Sequence, residues 1–134
     1  MLHTADWKID NTPTLGDDFN KKAFENLGNQ GILALIGDST NANIPGYSQS
    51  ENEVKEELIS VFSRYNKRII ITCFSSNIAR MQNIVMAAQK NNRKIALVGR
   101  SMKKTIEAAV KSKFIKDQDI FISEEEATFI PKEN

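Results

Sequence analysis

The sequence predicts an α/β protein with three layers, in which a parallel β-sheet lies between flanking helices. Four short apolar runs are rich in β-branched residues and continuous rather than alternating, which is typical of parallel strands covered on both faces. These runs are residues 31–36, 68–74, 94–98 and 119–122. Amphipathic patterns with helical spacing separate them. The resulting order, β-α-β-α-β-α-β, predicts right-handed crossovers between neighbouring strands.

The helices are predicted at about residues 18–27, from Glu51 onward, at about 77–90 and at about 102–113. The second helix has the clearest signal, because Ser50 and Glu53 have the spacing of a capping box at its start. Its apolar residues recur on one helical face. They are Val54, Leu58, Val61, Phe62 and Tyr65. The first helix is predicted to end at Gly28, since glycine commonly follows a helix C-terminus.

The composition excludes several function classes. A net charge of +1 gives no electrostatic argument for binding nucleic acid or a membrane. Cys73 is the single cysteine, which excludes an internal disulfide and a Cys-x-x-Cys metal motif. His3 is the single histidine, so the chain cannot form a histidine-rich zinc site alone. No apolar run approaches the ~20 residues of a membrane span, and no signal-peptide pattern is present, so the expected location is the cytoplasm.

Polar residues follow three of the predicted strands where each strand ends. They are Asp38, Ser39 and Thr40, then Ser75, Ser76 and Asn77, then Arg100 and Ser101. Ligands of open parallel sheets bind outside these carboxyl ends. Helices that begin after Ser76 and Ser101 offer free N–H groups to a phosphate, and Arg100 adds a cation with bidentate geometry. The three clusters are therefore candidates for a phosphate or small-molecule site.

A purely structural explanation of the same residues stays open. Serine and asparagine at helix starts are commonly N-caps. The segment from Asp38 to Asn41, followed by Pro45 and Gly46, has the composition of an Asx turn and a loop. Asp38 is therefore interpreted either as a site residue or as a turn residue.

Five segments of the sequence become recognisable together: HTADWKIDNTP, LIGDSTNANIPG, SENEV, TCFSSNIARMQ and ALVGRSM. In this order they resemble the middle of ribonuclease J, a metallo-β-lactamase-fold nuclease with an inserted β-CASP domain, over essentially the whole chain. The resemblance implies that residues 1–16 end a metallo-β-lactamase domain. Residues 17–134 would then form a partial β-CASP domain that lacks its C-terminal end. Ala5 and Ala79 stand where family members often carry glycine and histidine, and neither change removes a ligand.

The resemblance also implies roles for the candidate residues. Asp6 is implied to be the metal-bridging ligand, and Asp38 to be the acidic residue of β-CASP motif A. The segments FSSN and GRSM resemble strand ends that face an RNA-binding cleft. The residues implied to contact RNA or phosphate are Ser39, Thr40, Ser75, Ser76, Asn77, Arg100 and Ser101. The intact family enzyme is a 5′-to-3′ exo- and endoribonuclease of RNA processing and decay, whose two zinc ions activate a water for attack on a phosphodiester.

The main metal motif of that family, His-x-His-x-Asp-His, is absent from the sequence. We therefore expect an internal fragment that supplies at most one zinc ligand and is inactive alone. Its expected partners are RNA, a second copy or a complementing fragment of the same enzyme, and no membrane. The alternative from another class is a non-catalytic RNA- or nucleotide-binding α/β module.

A receiver or Rossmann domain is disfavoured. The second and third predicted strand ends offer serine and arginine, where a receiver needs aspartate and lysine. The segment Gly-Asp-Ser-Thr after the first strand does not match the Gly-x-Gly-x-x-Gly fingerprint of a Rossmann domain.

Overall fold

The computed structural model describes residues 1–131, which form an α/β structure of short strands and longer helices. In chain order the elements are β1 (Leu2–Ala5), α1 (Lys21–Asn29), β2 (Leu35–Gly37), α2 (Glu51–Arg64), α3 (Ile78–Lys90), β3 (Ile95–Ala96), α4 (Arg100–Lys111), β4 (Phe121–Ile122) and α5 (Glu124–Phe129). The last three residues of the predicted 17–134 domain lie outside the described residues. None of the helices within residues 1–131 is long and apolar enough to cross a membrane.

The strands form two parallel pairs, β1 with β2 and β3 with β4. The predicted α/β class and the parallel pairing are confirmed. The pairs are separate two-stranded sheets, however, so no single sheet of three or more strands is present in the described part of the chain.

The predicted strand at residues 68–74 is wrong. These residues run between α2 and α3 without strand pairing, and Ile70 and Phe74 are exposed. A β-branched run becomes a strand only where a neighbouring backbone completes its ladder of hydrogen bonds. The β3–β4 pair offers only two paired residues on each strand. The absence of a ladder at 68–74 is why the two pairs stay separate.

The first predicted strand is shorter and more exposed than its sequence predicts. The pattern at residues 31–36 predicts burial on both faces, whereas β2 spans Leu35–Gly37 and all of it is exposed. Leu35 and Ile36 are 62% and 50% exposed. β1 pairs with β2 along one edge, while α2, α3 and α4 pack on one another. Within residues 1–131 all three residues of β2 are exposed, so its faces are not covered as the sequence predicted.

Capping boxes begin two of the helices. At α2, the Ser50 hydroxyl accepts from the Glu53 amide and the Glu53 carboxylate accepts from the Ser50 amide, which confirms the predicted box. Ser123 and Glu126 form the same reciprocal pair at the start of α5. The sequence analysis does not predict α5, although its Ser-x-x-Glu spacing is the same signal.

The ends of two other helices differ from the prediction. α1 ends at Asn29, and Gly31, with φ of +79°, takes the left-handed conformation that was expected at Gly28. α4 begins at Arg100 rather than at about residue 102. Arg100 is therefore the first residue of a helix rather than part of a loop before it.

α3 is the central helix of the packed region. One apolar cluster joins it to α2 and to the residue before β4, and consists of Phe62, Val85, Ala87, Ala88 and Ile120. A second cluster joins it to α4 and the loop that follows, and consists of Met81, Ile106, Ala109 and Ile115. Because burial of apolar surface is the main source of stability, the packing of residues 51–122 depends on α3.

A separate aromatic cluster packs the residue after Asp6 against α1. The ring centroids of Trp7 and Phe24 are 6.0 Å apart, and those of Phe19 and Phe24 are 5.0 Å apart. Trp7 also approaches Phe19 at 6.5 Å. These separations are typical of favourable aromatic pairs. The chain after β1 is thus held in place by packing as well as by the strand.

Candidate strand-end site

Two acidic residues lie at the carboxyl edge of the β1–β2 pair. Asp6 directly follows β1, and Asp38 directly follows β2. The strands are parallel and Ala5 is in register with Gly37, so both strands end at the same level. The structure therefore brings Asp6 and Asp38 to one edge, which is where ligands of parallel sheets bind.

Asp38 forms an Asx turn. Its Oδ1 accepts from the Thr40 amide at 2.9 Å and from the Thr40 hydroxyl at 2.6 Å. The side-chain hydrogen bond from Thr40, aided by the Thr40 and Ser39 amides, lowers the pKa of Asp38 below its usual range. Asp38, Ser39 and Thr40 are all exposed. The carboxylate is therefore charged at neutral pH, and both interpretations of it, as turn and as site, are compatible.

Trp7 and Gly37 bring the two strand ends close together. Trp7 Nε1 donates to the backbone oxygen of Asp38 at 3.3 Å. A Cβ added to Gly37 would lie 2.9 Å from Thr4 Oγ1 and 3.7 Å from Trp7 Nε1. Glycine at this position allows β1 and its following tryptophan to approach β2 closely.

The second group of predicted site residues, Ser75, Ser76 and Asn77, lies at the start of α3. Asn77 is the N-cap, and its Oδ1 accepts from the Arg80 amide at 2.9 Å. Ser76 is exposed and Ser75 is half-buried. Of these candidates, Asn77 therefore has the structural role that the sequence left open.

The third cluster lies at the start of α4. Gly99, with φ of +99°, is the N-cap and provides no side-chain hydrogen bond. Arg100 and Ser101 are the first two helical residues, and both are exposed. The first amides of α4 thus lack a side-chain acceptor at the N-cap, and they lie beside a guanidinium.

The three clusters are not joined by hydrogen bonds among residues 1–131. A single sheet would bring their strand ends to one edge. Because the strands form two separate pairs, the structure unites only Asp6 with the Asp38 cluster.

A complete zinc site does not fit the described residues. Zinc takes at least three protein ligands, and residues 1–131 contain no group of three His, Cys, Asp or Glu side chains that could hold a metal. An exposed carboxylate such as Asp6 can supply one oxygen ligand to a metal whose other ligands come from elsewhere.

A network of charged groups lies on the other side of the segment that follows Asp6. Asp10 Oδ2 accepts from the Glu51 amide at 2.8 Å, and Asp10 Oδ1 accepts from the Thr12 amide at 3.0 Å. Lys8 Nζ lies 3.6 Å from Asp10 Oδ2 and 3.8 Å from Glu51 Oε1, and it donates to the Gln49 carbonyl. Asp10 therefore binds the N-terminus of α2, where an anion is favoured by the helix dipole.

The Glu51 side chain continues this network to α3. Arg80 donates to both carboxylate oxygens, with Nε 3.1 Å from Oε2 and Nη2 3.0 Å from Oε1. Asn83 Nδ2 donates to the Glu51 carbonyl at 2.8 Å and to Oε2 at 3.2 Å. Glu51 and Asn83 are among the few buried polar residues of the described chain, at 8% and 0% exposure. Burial of the Glu51 carboxylate is tolerated because it is paired and hydrogen-bonded. Asn83 Oδ1, by contrast, has no hydrogen-bond partner among the described residues.

The charge partners set the pKa values in this network. Burial raises the pKa of Glu51, but Arg80, Lys8 and a hydrogen bond from Asn77 outweigh it, so the pKa is lowered overall. Burial of Asp10 is likewise outweighed by the Glu51 and Thr12 amides and by Lys8, and its pKa is lowered. The hydrogen bond to Glu51 raises the pKa of Arg80. All three groups are charged at neutral pH.

We expect the protein to lose stability in acid through these two carboxylates. A carboxyl group with a lowered folded pKa contributes stability above its unfolded pKa and loses it as the pH falls through the folded pKa. Urea midpoints should therefore fall once the pH drops below the ordinary values of 4.5 for Glu51 and 3.8 for Asp10. The variant Asp10→Asn/Glu51→Gln should show a shallower fall over the same range. Equal pH slopes for the two proteins would contradict this assignment.

Sequence reasoning missed this network. Asp10 and Lys8 stand in a loop with no recognisable motif of their own, and Glu51 has the composition of an ordinary first-turn acid. The partners of Asp10 and Glu51 lie 41 and 29 positions away. The one local signal was the Asp-x-Thr spacing of an Asx turn at Asp10.

A cleft of about 430 Å³ lies elsewhere, between the chain at Thr14, the outer face of α3 and the loop 113–117. None of the sequence-predicted site residues lines it. Its carboxylate, Asp117, is already bonded to Gln89. The cleft therefore does not contribute to the strand-end site.

The fold and the strand-end acids define a class: an α/β chain with carboxylates at the carboxyl edge of parallel strands. Residues 66–134 match the family model of the ribonuclease J beta-CASP domain. The chain is 38% identical to ribonuclease J of Sinorhizobium meliloti over 133 residues and 40% identical to ribonuclease J of Synechocystis over 132 residues. It is 38% identical to ribonuclease J2 of Bacillus subtilis over 133 residues. The chain belongs to the ribonuclease J family, which confirms the resemblance stated from the sequence.

The matches cover nearly all of this chain but only part of each relative. They include 99% of the chain and 24% of the Sinorhizobium protein, 98% and 21% for Synechocystis, and 98% and 24% for Bacillus. The chain therefore spans about a quarter to a fifth of the length of these curated relatives.

Proposed function

We propose that this chain is part of a ribonuclease J-like, metal-dependent RNA hydrolase, to which it contributes one wall of the active site. The observation that carries this proposal is the register of β1 and β2, which sets Asp6 and Asp38 side by side at one strand edge. In this assignment Asp6 is a zinc ligand and Asp38 is the acid of motif A. Residues 1–16 end the metallo-β-lactamase domain, and 17–134 are part of a β-CASP domain with the three-layer sheet predicted from the sequence.

We propose further that the chain is inactive alone. A two-zinc site needs more ligands than one carboxylate edge can supply, and the chain has one histidine and one cysteine. The remaining ligands would come from a complementing fragment of the same enzyme. Either that fragment or a second copy would be the protein partner, and the cytoplasm would be the location.

The proposed RNA contacts are the other strand-end residues. Arg100 and Ser101 stand at the uncapped start of α4, and Ser75, Ser76 and Asn77 stand at the start of α3. Helix N-termini favour phosphate groups through their free amides and dipole. Ser39 and Thr40 would present hydroxyls beside Asp38.

The test is complementation. The chain is mixed with a ribonuclease J polypeptide that carries the histidine motif but lacks this region, and cleavage of labelled RNA is followed with added zinc. Neither protein should cleave alone, and the mixture should. Asp6→Ala and Asp38→Ala should each slow the mixture by more than about 100-fold, because even outer-shell partners of a metal cost 10–100-fold.

Asp17→Ala is the matched control, because Asp17 is an exposed acid outside the strand edge, and it should leave the rate unchanged. Metal-dependent cleavage by the chain alone, abolished by Asp6→Ala, would overturn the inactivity proposal. RNA binding without cleavage in any mixture would favour the non-catalytic module instead.

A further inference from the structure

Asp10 and Glu51 take no part in the strand-end site as described above, yet they are the most tightly bonded acids near it. Each carboxylate accepts hydrogen bonds from a different element: Asp10 from the first amide of α2, and Glu51 from Arg80 of α3. We propose that Asp10 and Glu51 are positioning residues that fix Asp6 beside Asp38. The assignment of a metal-binding role to Asp6 rests on the proposed function; the positioning itself does not.

The segment from Asp6 to Asp10 is short and has no regular structure. At its beginning it continues β1, whose register with β2 is fixed. At its end Asp10 is bonded to the Glu51 amide. The segment is held at three places: by the pairing of β1 with β2, by packing of Trp7 against Phe19 and Phe24, and by the bond of Asp10 to the Glu51 amide.

The Asp10 bond is placed where it can hold the segment. The first amides of a helix have no partner inside the helix. The Ser50 hydroxyl accepts a hydrogen bond from the Glu53 amide, and the Asp10 carboxylate accepts one from the Glu51 amide. A charged acceptor at this end of a helix is stabilised by the helix dipole. The N-terminal segment is thus docked on α2 by the bond that completes the cap of that helix.

Glu51 makes this docking point rigid. Two hydrogen bonds from Arg80 and two from Asn83 hold the first residue of α2 against α3. Lys8 lies between the carboxylates of Asp10 and Glu51 and so links the segment to the same point a second time. The chain of contacts therefore runs from the core helix α3 to Lys8, two residues after Asp6.

Trp7 reports on the result. It is the only tryptophan, it is adjacent to Asp6, and its indole nitrogen donates to the Asp38 backbone oxygen. Its indole therefore senses the position of the Asp6 segment relative to β2. A spectroscopic change at Trp7 without a change in helix content indicates that the Asp6 segment has moved. A general loss of stability would change both the Trp7 signal and the helix content.

The experiment compares acrylamide quenching of Trp7 fluorescence, and the indole N–H resonance, in Asp10→Ala, in Glu51→Gln and in the unsubstituted chain. We expect the quenching constant to rise about twofold in both variants, because Trp7 is 41% exposed in the docked segment and local opening would expose the rest. The indole resonance should move as its bond to Asp38 is lost. Far-UV circular dichroism should be unchanged. Asp10→Asn, which keeps an acceptor for the Glu51 amide, should restore much of the protection.

Glu56→Gln is the control for Glu51→Gln, since Glu56 lies on the same helix, is exposed, and within residues 1–131 forms an ion pair with half-buried Lys55 alone. Asp17→Ala is the control for Asp10→Ala. Neither control should change the quenching. The proposal is overturned if Trp7 is unchanged in both variants, or if its exposure rises only in proportion to a loss of helix signal. No RNA or metal enters the measurement, so failed complementation would leave this result standing, and unchanged quenching with restored cleavage would overturn the positioning alone.

Discussion

Arg80→Met should destabilise the protein by about 2–3 kcal/mol at neutral pH. Removing one partner of a buried ion pair costs about 3–5 kcal/mol, because the other charge is left buried without compensation. Here the Glu51 side chain is 11% exposed, while the Arg80 side chain is 32% exposed and therefore loses less contact with water in the folded protein. Lys8 remains 3.8 Å from Glu51. Both facts place the expected loss below the full range. Urea unfolding followed by circular dichroism measures it.

The same variant should be less destabilised in acid. Burial raises the pKa of Glu51, and Arg80 is the main group that opposes this effect. Without Arg80 the pKa of Glu51 is therefore higher than in the intact protein. Once the pH lies below both pKa values, Glu51 is neutral in both proteins and the difference between them shrinks. Arg64→Met is the control, since Arg64 bonds only to the Ser60 hydroxyl one turn away on α2. A loss equal to that of the control, or one that does not depend on pH, would show that Glu51 does not need Arg80.

Local signals in the sequence were sufficient to predict four of the five helices of residues 1–131, though not all of their ends. The capping box at Ser50 and Glu53 involves residues three positions apart, and such a contact can be predicted from spacing alone. The rule that ligands of parallel sheets bind at the carboxyl ends of the strands identified Asp38 as a candidate from the sequence. The strand before Asp6, β1, was not predicted, so the shared edge of Asp6 and Asp38 is seen only in the structure.

Features that depend on residues distant in the sequence could not be predicted from local patterns. Residues 68–74 have strand propensity, but a strand also needs a neighbouring backbone, and propensity carries no information about that neighbour. The bond from Asp10 to the Glu51 amide joins residues 41 positions apart. Acids in loops are common and usually solvated, and the Asp-x-Thr spacing at Asp10 indicates a local turn but not the distant Glu51 amide. The network that holds the site is therefore visible only in the folded chain.

Ile115→Ala should be among the most damaging apolar substitutions, with an expected loss of stability of about 2–5 kcal/mol, the range for truncating a buried isoleucine to alanine. Ile115 is 1% exposed. It packs with Met81, Ile106 and Ala109 in the apolar cluster between α3 and α4. Small domains are stable by only about 5–15 kcal/mol in total. The urea midpoint should fall with little change in slope, because the surface exposed on unfolding is nearly the same.

Two further variants distinguish the effect of the cavity left in the core from the effect of replacing isoleucine by a smaller residue at any site. Ile115→Val removes one methylene and should cost about 0.5–1.5 kcal/mol. Ile70→Ala makes the same chemical change at a side chain that is 88% exposed, and it should cost less than about 0.5 kcal/mol. If Ile115→Ala and Ile70→Ala reduced stability equally, the α3–α4 cluster would not be the part of the core that stabilises the fold.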